Sequence, residues 1–175
     1  MILSLLSRLK LLGISALLLQ VQAALILQPT STPRHKILGT RIHAGIQLAS
    51  LLCFLGAFTI IEINKGDHPH FVSPHGILGL LTVIFVVLQG LIGVAQFFFP
   101  VTVFGSVDAG KRIYKYHRWS GYVLLLLETA LVLAATQTGA LAIPTWSVVL
   151  TLLIILAGIG PRIRKQKLGF HSASS

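Results

Sequence analysis

The chain has 175 residues, of which 54% are hydrophobic and only 10% are charged, so an ordinary soluble domain is excluded and lipid is the expected surrounding. Its net charge is +10, but the basic residues lie in short clusters between apolar runs, which argues against a nucleic-acid-binding face. The single cysteine, Cys53, excludes a disulfide framework.

Five apolar segments, each close to the roughly 20 residues that a helix needs to cross hydrocarbon, predict five transmembrane helices. They run over about 11–27, 42–63, 76–99, 119–136 and 143–160. Breaks rich in polar residues, glycine and proline separate them. The expected fold class is therefore all-α, an integral membrane helical bundle. It forms a single domain, 1–175, that ends in a basic tail, 161–175.

Loop charges predict the orientation, because cytoplasmic loops are enriched in lysine and arginine. The first loop, the third loop and the tail alternate onto one side of the membrane. Their basic residues are Arg34, Lys36, Arg41, Lys111, Arg112, Lys115, Arg118, Arg162, Arg164, Lys165 and Lys167. The other side has Lys65, with Arg8 and Lys10 at the amino end. The carboxyl terminus is therefore expected in the cytoplasm.

The first apolar run also resembles a cleaved signal peptide. Arg8 and Lys10 precede it, and Val21-Gln22-Ala23 resembles a small-residue cleavage site. A signal sequence enters with its amino end inside, which would place most basic loop residues outside. The positive-inside bias disfavours this alternative.

Three histidines fall near predicted helix starts, in RIHAGIQ (His43), SPHGILG (His75) and KYHRWSG (His117). Each is expected within a turn of a helix start. Since helix direction alternates, His43 and His117 are expected on the cytoplasmic side and His75 on the opposite side. One interpretation of each is an interface residue with its ring among the lipid headgroups.

Polar residues on the same helix faces favour a second interpretation, in which the histidines point inward. At steps of three and four residues, His43 is followed by Gln47, Ser50, Phe54 and Ala57. In the same way His75 is followed by Gly79, Thr82, Val86, Gln89 and Gly93, and His117 by Gly121, Leu124 and Glu128. Polar side chains are costly in hydrocarbon and usually face a bundle interior. Two inward histidines at one level of alternate helices can supply both axial ligands of a planar metal macrocycle, and a b-type haem fits that geometry.

Four further features keep more than one interpretation. Gly79 and Gly121 would leave room for a macrocycle edge, or allow close helix packing. Glu128, near mid-membrane, is a proton-relay or haem-propionate-linked group, or a protonated carboxyl bonded to another helix. The loop pair His68 and His70 is interpreted as solvated. No HExxH, paired-carboxylate, nucleophile-elbow or phosphate-loop motif supports a hydrolase or a kinase.

The motifs RIHAGIQ, SPHGILGLL and YKYHRWSGY, in this order and with matching basic loops, resemble the cytochrome b561 family in its stand-alone domain type. The resemblance covers nearly the whole chain from about Leu12. It implies a six-helix fold whose central four helices hold two b haems, one near each face. It also implies an oxidoreductase of the endomembranes or the plasma membrane, which passes single electrons from cytosolic ascorbate to monodehydroascorbate or ferric iron on the other face.

Carried over by motif, His43 and His117 would ligate the cytoplasmic-side haem iron and His75 the opposite-side haem iron. Candidates for attracting an anionic substrate such as ascorbate are Arg34, Lys36, Arg41, Lys111, Arg112 and Lys115, whose alternative role is to set topology. At the amino end, near Arg8, the family's first helix and the histidine that partners the one matched by His75 have no counterpart. One b haem is therefore expected, and two if another group supplies that ligand.

Two other functions stay open on the sequence. One is a membrane anchor or assembly subunit without a cofactor. The other is a small proton-coupled transporter that uses Glu128 and the histidines as a proton path. Membrane lipid is the expected surrounding in each case, nucleic acid is not an expected partner, and association of two chains stays open.

Overall fold

The computed structural model describes residues 2–27, 32–136, 146, 149–150 and 152–153, and these residues form helices and no strand. The elements are α1 (Ile2–Ile26), α2 (Pro33–Lys65), α3 (Pro74–Phe98), the short α4 (Pro100–Phe104) and α5 (Val107–Thr136). The predicted all-α bundle is confirmed. Apart from residues 146, 149–150 and 152–153, the predicted span 143–160 lies outside the described residues.

The second helix begins before the apolar run that predicted it, because a cap and a proline fix its first turn. The Thr32 hydroxyl accepts a hydrogen bond from the His35 backbone N–H at 3.2 Å, and Pro33 takes the first helical position. The 33 residues of α2 span about 50 Å at 1.5 Å per residue. Since the hydrocarbon layer is about 30 Å thick, the basic first turns reach the headgroups and water.

This extension corrects the predicted position of two histidines. His43 and His117 each lie ten residues after the first residue of their helices, Pro33 and Val107, and not within a turn of it. The apolar run marks the part of the helix in lipid, whereas the helix continues into the polar segment before it. His75 is the second residue of α3, as predicted.

The connection 66–73 packs against the end of α2. The Phe71 ring stacks on the Phe58 ring with their centroids 6.3 Å apart, and the Lys65 ammonium lies 5.6 Å from the Phe71 centroid. Phe71 has a φ of 54°, a left-handed conformation that side chains rarely adopt. Stacking and cation–π contacts hold the ring despite that backbone cost.

The four long helices alternate in direction and pack in a ring in the order α1, α2, α3, α5. Between α2 and α1, the Ser50 hydroxyl donates to the Ala16 carbonyl at 2.9 Å. Between α3 and α5, the Gln89 side-chain amide donates to the His117 carbonyl. Because neighbours are antiparallel, α2 and α5 run in the same direction and lie diagonally across the bundle.

The inside of the ring is buried and its outside is apolar and exposed. Two clusters form the core, Ala16, Phe54, Val86 and Leu124, and Leu17, Val21, Leu125 and Leu152. Outside, Leu52, Leu91 and Val123 are each more than half exposed, as expected of lipid-facing residues. By length and composition α2, α3 and α5 can cross a membrane, whereas the apolar stretch of α1, Leu11–Ile26, is shorter.

Candidate functional site

His43 faces α1 from α2. Its Nδ1 lies 2.8 Å from the Ala23 carbonyl oxygen. Because a carbonyl can only accept, Nδ1 carries the proton and the lone pair lies on Nε2. Metal-ligating histidines are typically held in this way, with one ring nitrogen donating to a carbonyl and the other free to bind the metal.

His117 projects from α5 onto a glycine of α3. A Cβ at Gly93 would lie 3.1 Å from the imidazole Cε1 and 3.6 Å from Nε2, so the ring lies against the bare backbone. The His117 Nδ1 is buried and has no hydrogen-bond partner among the described residues. The residues that the rings of His43 and His117 contact, Ala23 and Gly93, lie near the carboxyl ends of α1 and α3, which run in the same direction. The structure thus brings His43 and His117 to the same end of the bundle.

His75 lies at the opposite end. Its Nδ1 donates to the Leu131 carbonyl at 3.2 Å, on a part of α5 roughly 21 Å along the axis from His117 at 1.5 Å per residue. The helix diagonal to α3 is α1, which would have to carry a facing ligand. Between Ile2 and Ile26 it contains no histidine, methionine or cysteine. The described residues therefore bring no second axial ligand to His75.

His70, the nearest histidine in sequence to His75, is already bonded at both ring nitrogens. Its Nδ1 pairs with the Glu62 carboxylate, and its Nε2 donates to the Gly66 carbonyl at 3.1 Å. These two acceptors, the Gly66 carbonyl foremost, raise the pKa of His70. A protonated imidazole has no lone pair for a metal. Within the described ranges no cluster of three histidine, cysteine or acidic side chains could hold a metal ion.

Three polar residues on the histidine faces are buried, as their predicted inward direction requires, whereas Gln47 and Gln89 are half-buried. Ser50 and Thr82 are 0% exposed and Glu128 is 2% exposed. Neither carboxyl oxygen of Glu128 has a hydrogen-bond partner in the described part of the chain, although the Gln20 amide of α1 approaches it. The core thus holds an ionisable group without the ion pair that would stabilise its charge.

The two glycines that follow His75 and His117 lie against side chains of neighbouring helices. A Cβ at Gly121 would lie 3.1 Å from the Gln89 side-chain nitrogen, and one at Gly79 would lie 3.8 Å from the Leu131 side chain. At Gly121, close helix packing is therefore the role that the structure shows.

Two of the six basic candidates, Arg34 and Arg41, lie on an open surface near the start of α2. They lie two helical turns apart, and the exposed side chains of Ile37 and Leu38 lie between them. This combination offers two cationic groups beside apolar surface, at the end of the bundle where His43 lies.

The other four basic candidates differ in whether their side chains already contact another group. The Lys111 ammonium pairs with the Asp108 carboxylate at 2.9 Å, and the Lys115 ammonium lies 4.8 Å from the Tyr116 ring centroid. Lys36 and Arg112 are exposed. The basic tail lies outside the described residues.

The contacts that hold α5 beside α3 were not predicted from the sequence. The Gln89 side chain donates through Nε2 to the His117 carbonyl and accepts through Oε1 from the Ser120 hydroxyl at 2.8 Å. A glutamine within an apolar run signals a polar partner. Its partner on α5 depends on the register of the two helices, which periodicity does not give.

Within the described residues, the end with His43 and His117 fits an iron porphyrin held by two histidines, because the His43 Nδ1 donates to a carbonyl, which leaves the lone pair on Nε2, and the His117 Nδ1 is buried without a hydrogen-bond partner. At the end with His75 the described residues supply no second axial ligand, because α1 contains no histidine, methionine or cysteine. An all-α bundle with a lipid-facing exterior and inward histidines on facing helices is compatible with a membrane electron carrier.

A family model described as eukaryotic cytochrome b561 matches residues 9–142, and the chain therefore belongs to the cytochrome b561 family. The protein is accordingly an integral membrane protein, a transmembrane b-type cytochrome that functions in electron transfer. Neither the curated proteins nor the solved structures gave a significant match to the chain.

Proposed function

We propose that His43 and His117 hold a b haem and that the protein carries single electrons from ascorbate. The observation that supports this most strongly is the position of the two imidazoles, at the same end of diagonal helices, where the His43 Nδ1 donates to the Ala23 carbonyl and the buried His117 Nδ1 has no partner among the described residues. The haem supplies the one-electron iron couple when bound. The chain supplies its binding, its orientation and the exclusion of water.

The Ala23 carbonyl fixes the tautomer of His43 and would increase the basicity of Nε2, the ring nitrogen that would bind the iron. The buried cluster of Ala16, Phe54, Val86 and Leu124 keeps water out of the bundle below this site. Burial of this kind, together with axial ligation by two imidazoles, tunes the potential at which a b haem accepts an electron.

We propose the exposed surface between Arg34 and Arg41 as the place where ascorbate approaches. Ascorbate is a monoanion at neutral pH, and a guanidinium stays charged at every physiological pH. Both residues precede His43 on α2, whereas Lys111 is already paired with Asp108. Lys36, Arg112 and Lys115 add to the positive field that would draw an anion to this end.

The positive-inside rule favours a cytosolic position for this end and for the tail 161–175. The acceptor in this proposal is monodehydroascorbate or ferric iron on the opposite face, in the endomembranes or the plasma membrane. A second haem there would require His75 to find a ligand outside α1.

The donor site is tested by the rate at which ascorbate reduces the haem in lipid nanodiscs. The double variant Arg34→Ala, Arg41→Ala should slow this reduction by about tenfold or more at low ionic strength. Tenfold is the lower end of the range by which electrostatic steering raises association rates. Reduction by a neutral hydroquinone should be unchanged. Lys111→Ala, which removes an ion-paired lysine, is the control and should keep the wild-type rate. An unchanged ascorbate rate in the double variant would rule out the surface between Arg34 and Arg41 as the donor site.

The acceptor side is tested in sealed proteoliposomes with a ferric chelate trapped inside and ascorbate added outside. Oxidation of external ascorbate that depends on the trapped chelate would support transfer between the two faces. Haem that ascorbate reduces fully, with no reduction of the trapped chelate, would contradict an acceptor on the opposite face.

A further inference from the structure

The face of α3 that meets α5 carries two residues, one helical turn apart, that both contact His117. Gln89 reaches its backbone and Gly93 lies under its ring. Most side chains of α3 at this depth face lipid, as the exposed Leu88, Leu91 and Ile92 show. Gln89 and Gly93 instead face α5 at the level of His117.

Gly93 limits where the imidazole can lie. A Cβ at this position would come within 3.1 Å of Cε1, 3.6 Å of Nε2 and 3.9 Å of Nδ1, so the ring packs over the glycine backbone. A 3.1 Å approach is tighter than an ordinary carbon–carbon contact of about 3.5–4.0 Å. Any side chain at this position would push the ring away from α3 by a few tenths of an ångström or turn it.

Gln89 limits where the backbone of His117 can lie. Its amide nitrogen donates to the His117 carbonyl, and its amide oxygen accepts from the Ser120 hydroxyl at 2.8 Å. Gly121 leaves the space that the amide fills, since a Cβ there would lie 3.1 Å from Gln89 Nε2. Both the amide nitrogen and the amide oxygen of Gln89 therefore form hydrogen bonds with one turn of α5.

We propose that Gln89 and Gly93 are positioning residues that set the orientation of the His117 imidazole plane. This proposal rests on the proposed function, in which His117 is an axial haem ligand. The relative angle of two axial imidazole planes governs the EPR g values of a low-spin haem, and the orientation of the axial ligand also affects its reduction potential. The two residues would thus tune the site without touching iron.

The direct test compares Gly93→Ala with Gly90→Ala. A Cβ at Gly90, one turn earlier on the same helix, would meet no atom within 4 Å, so this variant controls for the change of glycine to alanine. Gly93→Ala should keep the haem content of the wild type but shift the highest EPR g value and the midpoint potential. Gly90→Ala should change neither. Identical EPR spectra and potentials in the two variants would overturn the role of Gly93.

Gln89→Leu and Ser120→Ala test the amide contact, and decide the matter if Gly93→Ala does not accumulate. Gln89→Leu removes both hydrogen bonds and should shift the g value more than Ser120→Ala, which removes one. The Ser120 hydroxyl also lies 3.1 Å from the His117 carbonyl oxygen, whereas Ser120→Ala leaves the bond from the Gln89 amide nitrogen to that carbonyl in place. A wild-type spectrum in Gln89→Leu would overturn the proposal.

The proposed function and this inference fail in different ways. His117→Ala tests the ligand itself. If it loses the haem while Gly93→Ala and Gln89→Leu keep wild-type spectra, the positioning role is wrong and the ligand role stands. If His117→Ala keeps its haem and its spectrum, the ligand role is wrong and the positioning role falls with it.

Discussion

Single polar groups in this bundle differ in whether their hydrogen bonds are made. Ser50 is fully buried and its hydroxyl donates to the Ala16 carbonyl, which ties α2 to α1. Glu128 is buried almost as deeply, but its two oxygens have no partner in the described part of the chain. The first residue stabilises the fold, whereas burial of the Glu128 carboxyl, which the Gln20 amide of α1 approaches without completing a hydrogen bond, costs stability.

Replacing Glu128 measures that cost. Glu128→Leu should raise the free energy of unfolding in detergent by about 1–3 kcal/mol, the cost of a buried polar group without a partner. Glu62→Leu is the contrasting variant, because Glu62 pairs with His70 and its loss should give no gain in stability. A lower stability in Glu128→Leu would show that the carboxyl is satisfied in the folded protein.

His70 makes the loop 66–73 sensitive to pH. The Gly66 carbonyl and the Glu62 carboxylate raise the pKa of His70 above 6.5. A group whose pKa rises on folding stabilises the fold fully below its unfolded-state pKa and loses that contribution as the pH passes its folded-state pKa. Thermal stability should therefore fall as the pH rises through the raised pKa of His70.

The measurement for His70 is the unfolding temperature in detergent from about pH 5 to pH 9, the range around the ordinary histidine pKa. His70→Ala should lose the fall that the wild type shows. His68→Ala, which removes an exposed histidine of the same loop, should keep it. If His70→Ala has the wild-type pH profile, another group is responsible.

At the scale of elements, the short α4 turns the chain from α3 into α5. Gly105 ends α4 in a left-handed conformation with φ of 79°. The following helix, α5, then packs against α3 and α4. The closest approach is at Gly110, where a Cβ would lie 2.8 Å from the Pro100 side chain and 3.3 Å from the Gln96 carbonyl. This contact sets the angle at which α5, with His117, leaves the turn.

Gly110→Ala should lower the free energy of unfolding by about 1–3 kcal/mol, as overpacking of a tight contact does. Gly45→Ala on α2 is the matched control, because a Cβ there would meet no atom within 4 Å. In that helix interior alanine should be neutral or stabilising by up to about 1 kcal/mol. Chemical unfolding in detergent measures both, and equal stability of the two variants would contradict the contact at Gly110.

At the scale of the whole molecule, periodicity predicted the bundle and the inward faces. The stripes from His43, His75 and His117 contain the residues now found buried, including Ser50, Thr82 and Glu128. Helix starts were predicted too late, because hydropathy reports the lipid layer and not the cap at Thr32. The contact of Gly93 with His117 lies between helices, so it depends on a register that one helix pattern does not contain.

We expect one b haem per chain, held between His43 and His117 at the end of the bundle where Arg34 and Arg41 lie. The most direct measurement is the haem content, together with the reduced-minus-oxidised spectrum, of the purified protein and its His117→Ala and His75→Ala variants. The wild type should bind one haem with b-type bands, His117→Ala should bind none, and His75→Ala should keep the wild-type content and spectrum. Full haem content in His117→Ala, or loss of the haem in His75→Ala, would contradict a single haem held by His43 and His117.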